Sequence, residues 1–317
     1  MFEWKKLGLV FDPTKNIHAS WMSEFAQSPS VVIHSDFVRV YFCCRPLPDE
    51  NGQYVSRLSY LDLDRNNLLK ITNISSSPIL ELGKMGAFDE HGTYPANIIE
   101  FKSDLWAFYC GWSRCESVPV NTTLGVAKSY DGGRTFSRLG DGPVLTYTLN
   151  EPFTLGSPKV KVFNDKLYLW YVAGKIWVKT DGRPEPVYKL RMAVSDDGLN
   201  WTKHGKDLIE SVLEENECQA SGEVMFHDGQ YHMFFSYRYN LGFKDKGRGY
   251  KIGYATSEDL FNWKRADGLS GIKPSKTGWD SNSISYPHIF DLDGNTYMLY
   301  QGDEMGRFGF GLAVLKK

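Results

Sequence analysis

The feature that most constrains the fold of this 317-residue chain is an internal repeat that runs over its whole length. A short apolar segment recurs five times, and it is anchored at Pro29, Pro95, Pro158, Ser221 and Pro287. Successive anchors lie 66, 63, 63 and 66 residues apart. Self-similarity at a fixed period is typical of repeat architectures, in which each repeat forms one structural unit. The repeat therefore has to be explained before any single motif.

Each repeat has the pattern of four short strands. The anchored segment is followed by an aromatic strand such as LYLWYVAG and by a third strand such as KIGYATS. Turns such as SDDGLNW lead into a fourth strand, and the aromatic residue after the turn (Phe136, Trp201 or Trp263) is expected to pack between neighbouring repeats. Four strands separated by turn residues are typical of a propeller blade. The sequence therefore predicts an all-β fold, a single five-bladed β-propeller with four-stranded blades.

The fifth repeat ends at Lys317 after only three strands. Its missing strand has a counterpart at the other end of the chain, because FEWKK (2–6) resembles NWTK (200–203) and NWKR (262–265). We expect the N-terminal strand to close the last blade and remove an open sheet edge. A pair of β-sandwiches is the alternative, but five equal repeats do not divide between two sandwiches. The prediction is one domain spanning residues 1–317.

Composition excludes several classes of function. The chain has 36 Lys and Arg against 38 Asp and Glu, which leaves no basic footprint for nucleic acid or an anionic membrane. There is no apolar stretch of the roughly 20 residues needed for a membrane span, and no secretory signal. Five cysteines, two of them adjacent, favour reduced thiols over a disulfide framework or a zinc site. We therefore expect a cytoplasmic protein; the oligomeric state stays open.

Acidic residues precede the first strand of every repeat. In a propeller these first strands line the central channel, so the loops that lead into them, here called the leading loops, meet at one mouth. Five carboxylates at one mouth would repel each other unless they bind a cation or polar ligand, or have separated pKa values. The alternative is that several are solvent-facing turn residues. No cofactor or metal is expected, although Ca²⁺ in the channel remains open because it takes oxygen ligands. The acids are Glu24, Asp89, Glu151, Glu217 and Asp280.

Aromatic and basic residues accompany these acids. Rings pack on the apolar faces of sugars, and paired carboxylates suit glycoside chemistry because one protonates the leaving oxygen while the other attacks or activates water. The rings in or beside the leading loops are Trp21, Tyr94, Trp112, Trp279 and Tyr286. Arg is suited to bidentate phosphate contacts, so a cluster at the mouth would indicate phosphate, a phosphosugar or a nucleotide sugar; the alternative is ordinary surface cations. The candidates are Arg45, Arg114, Lys159, Arg238, Arg248, Arg307, His18 and His91.

The repeat and the leading loops resemble the five-bladed propeller glycosidases, which include the arabinanase and xylosidase type, the invertase type and the mannoside phosphorylases. Over nearly the whole chain, a closer resemblance is to bacterial glycosidase-like proteins found among polysaccharide-biosynthesis genes. It is carried by GAFDEHGTYP (86–95), EPFTLGSP (151–158), ECQASGEV (217–224), YKIGYATSED (250–259), GWDSNSISYP (278–287) and YQGDEMGRFGFGLAVL (300–315).

The resemblance implies roles for individual acids. It favours Asp89 as a central acid, and Glu217 resembles the general acid of the invertase-type Glu-Cys motif. Where the related enzymes have an Asp near the start of the first inner strand, this chain has Gln27-Ser28-Pro29. Three alternatives stay open: Glu24 takes the place of this Asp, Asp12 takes its place, or Glu151 and Asp89 form the working pair. The predicted catalytic residues are Asp89, Glu217, Glu24 and Glu151, and the predicted substrate-binding residues are Trp21, Tyr94, Trp112, Arg238, Asp280, Tyr286 and Arg307.

Together these features predict a glycosidase-type enzyme that acts on a glycosidic bond of a sugar or sugar conjugate through central carboxylates. A phosphate-dependent glycoside phosphorylase is a variant of the same prediction. The rival from another class is a non-hydrolytic module that binds a carbohydrate or sugar nucleotide in polysaccharide biosynthesis, and a structural scaffold is the third option. The expected partner is a carbohydrate or sugar-phosphate small molecule, with no nucleic acid and no membrane span.

Overall fold

The computed structural model describes residues 2–15, 19–180, 182–214 and 216–316. It contains five four-stranded antiparallel sheets, which confirms the five-bladed propeller. The first strand of the chain is β1 (Trp4–Phe11), and blade 1 follows with β2 (Glu24–Ile33), β3 (Phe37–Arg45), β4 (Arg57–Asp64) and β5 (Asn67–Ile74). Blade 2 contains β6 (Thr93–Phe101), β7 (Asp104–Arg114), β8 (Val120–Ser129) and β9 (Ser137–Arg138).

The remaining blades repeat this order. Blade 3 contains β10 (Leu155–Phe163), β11 (Lys166–Thr180), β12 (Arg183–Ser195) and β13 (Thr202–Lys203). Blade 4 contains β14 (Cys218–His227), β15 (Gln230–Arg238), β16 (Lys251–Ser257) and β17 (Lys264–Arg265). Blade 5 contains β18 (Ser285–Leu292), β19 (Asn295–Gln301) and β20 (Phe310–Leu315), with a short 3-10 helix (Asp267–Leu269) before it and one helical turn, α1 (Asp303–Gly306), within it.

The N-terminal strand closes the ring, as predicted. Strand β1 pairs antiparallel with β20, with Trp4 opposite Leu315 and Phe11 opposite Phe310. Trp4 and Phe11 are both buried, and Trp4 packs edge-on against Phe234 of the neighbouring blade. The edge that three strands alone would leave open is therefore covered, which matters because an unpaired edge is a template for aggregation.

The inner strands β2, β6, β10, β14 and β18 share a kink near their start. Ser28, Ser157, Ser221 and Tyr286 all have positive φ angles there, and the pairing of each inner strand with its neighbour shifts register at this point. Ser221 is thus the equivalent of Ser28 and not of Pro29. The anchor assigned to the fourth repeat was wrong by one residue, because Gly222 stands where the other repeats have proline.

The turns before the outer strands build the contacts between blades. In blade 4 the Asp259 carboxylate accepts hydrogen bonds from the backbone N–H groups of Phe261 and Asn262, at 2.9 and 2.8 Å. The aromatic residue after the turn then packs into an apolar cluster shared with the preceding blade, as Trp263 does between blades 3 and 4. Phe136 and Trp201 do the same in their own blades, which confirms the predicted packing.

Two further properties bear on the sequence predictions. All five cysteines are free thiols, and four of them are buried. Within the described residues, no helix is long and apolar enough to cross a membrane.

Candidate functional site at the mouth of the channel

The leading loops and the connections between second and third strands lie at the same end of the propeller, because neighbouring strands of each blade are antiparallel. This end is the mouth. All five acids predicted there are buried: Glu24 is 7% exposed, Asp89 0%, Glu151 2%, Glu217 0% and Asp280 2%. Their contacts, and not their exposure alone, separate them into two groups.

Four of the five acids hold their own blade together. Asp89 accepts a hydrogen bond of 2.8 Å from the Tyr109 hydroxyl and one of 2.7 Å from Arg138 Nε. Asp280 accepts one of 3.0 Å from the Tyr300 hydroxyl and pairs with Lys6 at 2.5 Å. In both cases the tyrosine comes from the second strand of the blade and the cation from the fourth. The carboxylate therefore ties the leading loop to the outermost strand.

Glu151 repeats this arrangement in full, and Glu217 repeats the contact with a cation of the fourth strand but has Gln219 in place of the tyrosine. Glu151 bonds to the Tyr171 hydroxyl at 2.9 Å, to Arg191 at 3.0 Å and to Lys203 of β13. Burial opposes the ionisation of its carboxyl, but Lys203, Arg191 and Tyr171 outweigh it and lower the pKa of Glu151. These four acids are called the blade ties below, and each points to a cation of its own blade.

In the fourth tie, Glu217 accepts hydrogen bonds from Arg265 of β17 at 2.7 Å and from Gln219 at 2.9 Å. The backbone N–H groups of Val212 and Leu213 complete its shell at 3.0 and 3.1 Å. Burial again opposes ionisation, and these donors, Arg265 first, lower the pKa of Glu217 below its ordinary value. The carboxylate has no room for a further strong donor without losing one of these.

Glu24 is the exception. Blade 1 supplies no cation from its fourth strand; instead Glu24 accepts a hydrogen bond of 2.7 Å from the Tyr54 hydroxyl and pairs with Arg307 of blade 5. Burial raises the pKa of Glu24, but the bonds from Tyr54 and Arg307 outweigh it and leave the pKa lowered. The side chain of Arg307 is 39% exposed, so solvent reaches this pair more readily than the blade ties.

Arg307 also contacts a second carboxylate, that of Glu304. Its Nη1 atom lies 3.5 Å from Oε2 of Glu304, whose side chain is 58% exposed. Glu304 and Met305 both have left-handed backbone conformations, which cost free energy in non-glycine residues and are most often found at functional sites. Gln27 donates a hydrogen bond to the backbone oxygen of Met305 and helps to hold this loop against blade 1.

A row of four buried tyrosines crosses the mouth. The ring of Tyr286 lies 6.3 Å from that of Tyr94 and 6.1 Å from that of Tyr250, and the Tyr250 and Tyr188 hydroxyls form a short hydrogen bond. Ser157 contacts the Tyr286 hydroxyl at 3.1 Å. This tyrosine row lines the mouth with rings and hydroxyl groups and contains no carboxylate.

An arginine stands at each end of the tyrosine row. Arg238 lies 5.3 Å from the Tyr250 ring and donates hydrogen bonds to the Tyr188 hydroxyl and to backbone oxygens. Arg45 lies 5.3 Å from the Tyr94 ring and 5.7 Å from that of Trp112. No carboxylate among the described residues forms a salt bridge with either guanidinium.

Below the mouth, an ion-pair network lies in the channel. Glu223 contacts Lys159 at 3.0 Å, Lys161 at 2.6 Å and His288 at 3.4 Å. Burial opposes ionisation of Glu223, but the two lysines hold its pKa well below the ordinary value. Burial lowers the pKa of His288 to about 4, so this imidazole is neutral at pH 7. A cavity of about 390 Å³ at the far end of the channel is lined in part by Lys161 and His288.

The structure brings together some of the predicted residues and separates others. Tyr94, Trp112, Arg238, Tyr286, Arg307 and Glu24 lie at the mouth, whereas Trp21 packs against the apolar cluster between blades 5 and 1. Trp279 stacks on Tyr300 at 5.3 Å. Arg114 pairs with the exposed Asp49, and Arg248 lies over the ring of Tyr239. His18 lies outside the described residues.

The predictions from sequence missed three residues that lie at the mouth or in the channel. Glu304 and Tyr54 contribute to the Arg307 and Glu24 cluster, and Glu223 lies in the channel wall. A charged residue on an inner strand is a usable signal, because side chains alternate along a strand and one face lines the channel. Among the described residues, no three His, Cys, Asp or Glu side chains come together so as to hold a metal ion.

Comparisons with known proteins place the chain in a sequence group. No family model matches it. It is 34% identical over 314 residues to a Mycobacterium tuberculosis protein of strain H37Rv described as uncharacterized protein Rv1502, with 99% of each chain covered. Uncharacterized protein MT1551 of strain CDC 1551 is also 34% identical over the same length.

Solved structures share the fold at low sequence identity. A structure described as a glycoside hydrolase has a TM-score of 0.75 and 18% identity, covering 98% of this chain and 91% of its own. A structure from work on mannoside phosphorylases and glycoside hydrolases of the GH130 family has a TM-score of 0.72 and 14% identity, covering 99% and 93%. The GH32 β-fructofuranosidase of Bombyx mori has a TM-score of 0.63 and 15% identity, covering 100% and 61%. Identities this low establish the shared fold alone.

Proposed function

Because the chain belongs to the same family as the mycobacterial protein Rv1502 and has the propeller fold of glycoside hydrolases, we propose that it is a carbohydrate-active enzyme of glycosidase type. Its site is the mouth of the channel. The observation that carries the proposal is the pair of carboxylates, Glu24 and Glu304, that share the guanidinium of Arg307. Most enzymes that cleave a glycosidic bond use a pair of carboxyl groups, and aromatic rings such as Tyr54 lie beside this pair.

The two carboxylates have different roles in this proposal. Glu24 is held ionised, so it attacks the anomeric carbon or removes a proton from the attacking water. Glu304 acts in its protonated form: it transfers its proton to the leaving oxygen and is left as a carboxylate. One water is consumed: its hydroxyl group ends on the anomeric carbon and its proton replenishes the carboxylate pair. In the phosphorolytic variant, inorganic phosphate takes the place of water and ends as the sugar phosphate.

The blade ties are assigned a structural role. Asp89, Glu151, Glu217 and Asp280 each bond to a cation of their own blade, and each is 2% exposed or less. A catalytic acid has to reach its substrate within hydrogen-bond distance. Glu24 meets this condition better because its cation, Arg307, is exposed and comes from a loop. The proposal therefore keeps Glu24 of the four predicted catalytic acids.

The test is turnover of a panel of aryl glycosides and oligosaccharides by the wild-type protein, with and without phosphate. Glu24→Gln and Glu304→Gln should each lower turnover by at least about a hundredfold, the usual contribution of a general acid or base. Glu116→Gln is the matched control, since Glu116 is an exposed acid in a loop at the same end of the propeller. Strict dependence on phosphate would identify the phosphorylase variant.

A second candidate is a non-hydrolytic carbohydrate-binding module in polysaccharide biosynthesis. It is favoured by the pairing of four of the five predicted acids with cations of their own blades. Binding of a sugar without turnover of any member of the panel would establish this second function and overturn the enzymatic one.

A further inference from the structure

One guanidinium at the mouth, that of Arg45, has an acid opposite it in the sheet, Glu24, but the carboxylate of Glu24 is paired with Arg307 instead. Arg45 forms no side-chain hydrogen bond or ion pair with any residue in the described ranges, and its Nε atom is buried without a partner. Burial lowers the pKa of Arg45, which reflects the cost of keeping its charge away from water. A charge that is largely removed from water and has no hydrogen bond or salt bridge destabilises a folded protein. A ligand that carries a negative charge would remove this cost.

Four aromatic rings surround this guanidinium. Its central carbon lies 4.5 Å from the ring centre of Phe25, 5.4 Å from Tyr54, 5.3 Å from Tyr94 and 5.7 Å from Trp112. The rings hold the position of Arg45 by cation–π contact while supplying no hydrogen-bond acceptor to it. Tyr94 is buried, whereas Arg45 and the other three rings are partly exposed, so the group opens to solvent. Arg45 is therefore a hydrogen-bond donor that is held in place and has no acceptor among the described residues.

The surroundings are positive as well. Arg238 stands at the other end of the tyrosine row, and Lys159 and Lys161 lie in the channel wall, where the carboxylate of Glu223 is their common partner. Arg45, Arg238 and these two lysines thus outnumber the two carboxylates near them, Glu223 and Glu24. A cleft lined by one sign of charge attracts ligands of the opposite sign. The positive charge is not neutralised by the blade ties, because each of those acids has its own cation.

We propose that Arg45 binds an anionic group, a phosphate ester or a carboxylate, on the carbohydrate that occupies the mouth. The planar fork of arginine matches both groups in bidentate geometry. The inference rests on the proposed carbohydrate site and names a chemical feature of its ligand. The neighbouring rings of Trp112 and Tyr54 pack on the sugar, and Glu24, which hydrogen-bonds with Tyr54, acts on its glycosidic bond.

The test is isothermal titration calorimetry with four probes: a hexose 1-phosphate, a hexuronic acid, the neutral hexose and inorganic phosphate. Wild-type protein should bind at least one of the two anionic sugars at least about tenfold more tightly than the neutral hexose, as a charge-assisted contact predicts. Arg45→Met should remove this preference. Arg114→Met is the matched control, because Arg114 lies at the same end of the propeller and already has a carboxylate partner. Which sugar binds more tightly distinguishes a phosphate ester from a carboxylate.

A second measurement separates ligand binding from a structural role. Thermal unfolding of ligand-free Arg45→Met should occur near the wild-type temperature, because the Arg45 side chain has no salt bridge or hydrogen bond to lose and Met still fills the space between the rings. A marked fall in that temperature would assign Arg45 to the core and overturn the inference. Arg45→Lys keeps the charge and loses the fork, so it should retain only part of the preference. This variant tests the contribution of the planar fork without removing the positive charge.

The inference fails if the neutral hexose binds wild-type protein as tightly as the anionic sugars, if no probe binds, or if Arg45→Met binds the anionic sugars like wild type. These results are distinguishable from failure of the proposed enzyme. Loss of anion binding in Arg45→Met without any turnover would leave the inference standing and remove the catalytic role of Glu24. Turnover that is lost in Glu24→Gln, together with anionic sugars that bind wild-type protein no more tightly than the neutral hexose, would do the reverse.

Discussion

Buried carboxylates at one end of this propeller differ in what they contact. The carboxylate of Glu151 is surrounded by Tyr171, Arg191 and Lys203, whereas that of Glu24 has one tyrosine and one exposed arginine. Removing one partner of a buried ion pair costs about 3–5 kcal/mol, because the other charge is left uncompensated. The same residue type is therefore enclosed by partners of its own blade at Glu151 and has a more exposed partner from another blade at Glu24.

Acid should destabilise the protein through the blade ties. The pKa values of Glu151 and Glu217 are lower in the folded protein than in the unfolded chain. Their contribution is therefore complete above the ordinary glutamate pKa of about 4.3 and is lost as the pH falls through the folded-state values. The free energy of unfolding, measured in urea, should decline below about pH 4.3. Lys203→Met should be less stable at pH 7 and should show a shallower decline. A decline as steep as in the wild type would contradict the tie.

These ties were not recognised in the sequence, although they leave a signal there. The cations Arg138, Lys203, Arg265 and Lys6 each come two residues after the aromatic residue of the outer strand. Residues two apart lie on the same face of a strand. The acid and its cation are however about 50 residues apart in most blades, so only the fold reveals that they meet. Blade 1 lacks the motif, which is why Glu24 differs.

At the scale of single elements, the turn before each outer strand is the most regular local structure. The sequence SEDLFNW (257–263) folds so that Asp259 accepts bonds from Phe261 and Asn262, and these bonds, with Asn262 first, lower the pKa of Asp259 to about 2. The turn sets the position of Trp263 in the cluster between two blades. Short-range chemistry of this kind is readable from sequence, because all partners lie within a few residues.

Asp259→Ala should lower the free energy of unfolding by about 1 kcal/mol, since it removes hydrogen bonds to a charged but exposed group. Glu258→Ala, a change at the adjacent exposed acid, is the control and should leave stability unchanged. Equilibrium unfolding in urea, followed by tryptophan fluorescence, measures both. Equal stability of the two variants would show that the turn contributes nothing measurable.

At the scale of the whole molecule, the ring is closed by the pairing of β1 with β20. The repeat length and the incomplete last repeat were sufficient to predict this closure. The arrangement at the mouth was less predictable, because Arg307 comes from blade 5 whereas Glu24 and Arg45 come from blade 1. No local pattern specifies which arginine meets a carboxylate and which does not.

The contacts that β1 makes in the last blade should contribute substantially to the free energy of unfolding. Trp4 is 6% exposed and packs against Phe234 of blade 4, so Trp4→Ala should cost about 3–5 kcal/mol through lost burial and a cavity. Leu149→Ala, at a side chain that is 95% exposed, is the control. Thermal unfolding monitored by circular dichroism compares the two. A midpoint for Trp4→Ala like that of the control would mean that the ring is stable without this contact.

The most direct test of the proposed division of the five predicted acids, with Glu24 catalytic and the other four acting as blade ties, is a paired measurement on Glu24→Gln and Glu151→Gln. Each variant is assayed for turnover of a glycoside that the wild type cleaves and for its free energy of unfolding in urea. Glu24→Gln should lose turnover by at least about a hundredfold and keep most of its stability. Glu151→Gln should lose about 3 kcal/mol of stability and, while folded, keep its turnover. The opposite pattern, with turnover dependent on Glu151 and independent of Glu24, would contradict the account.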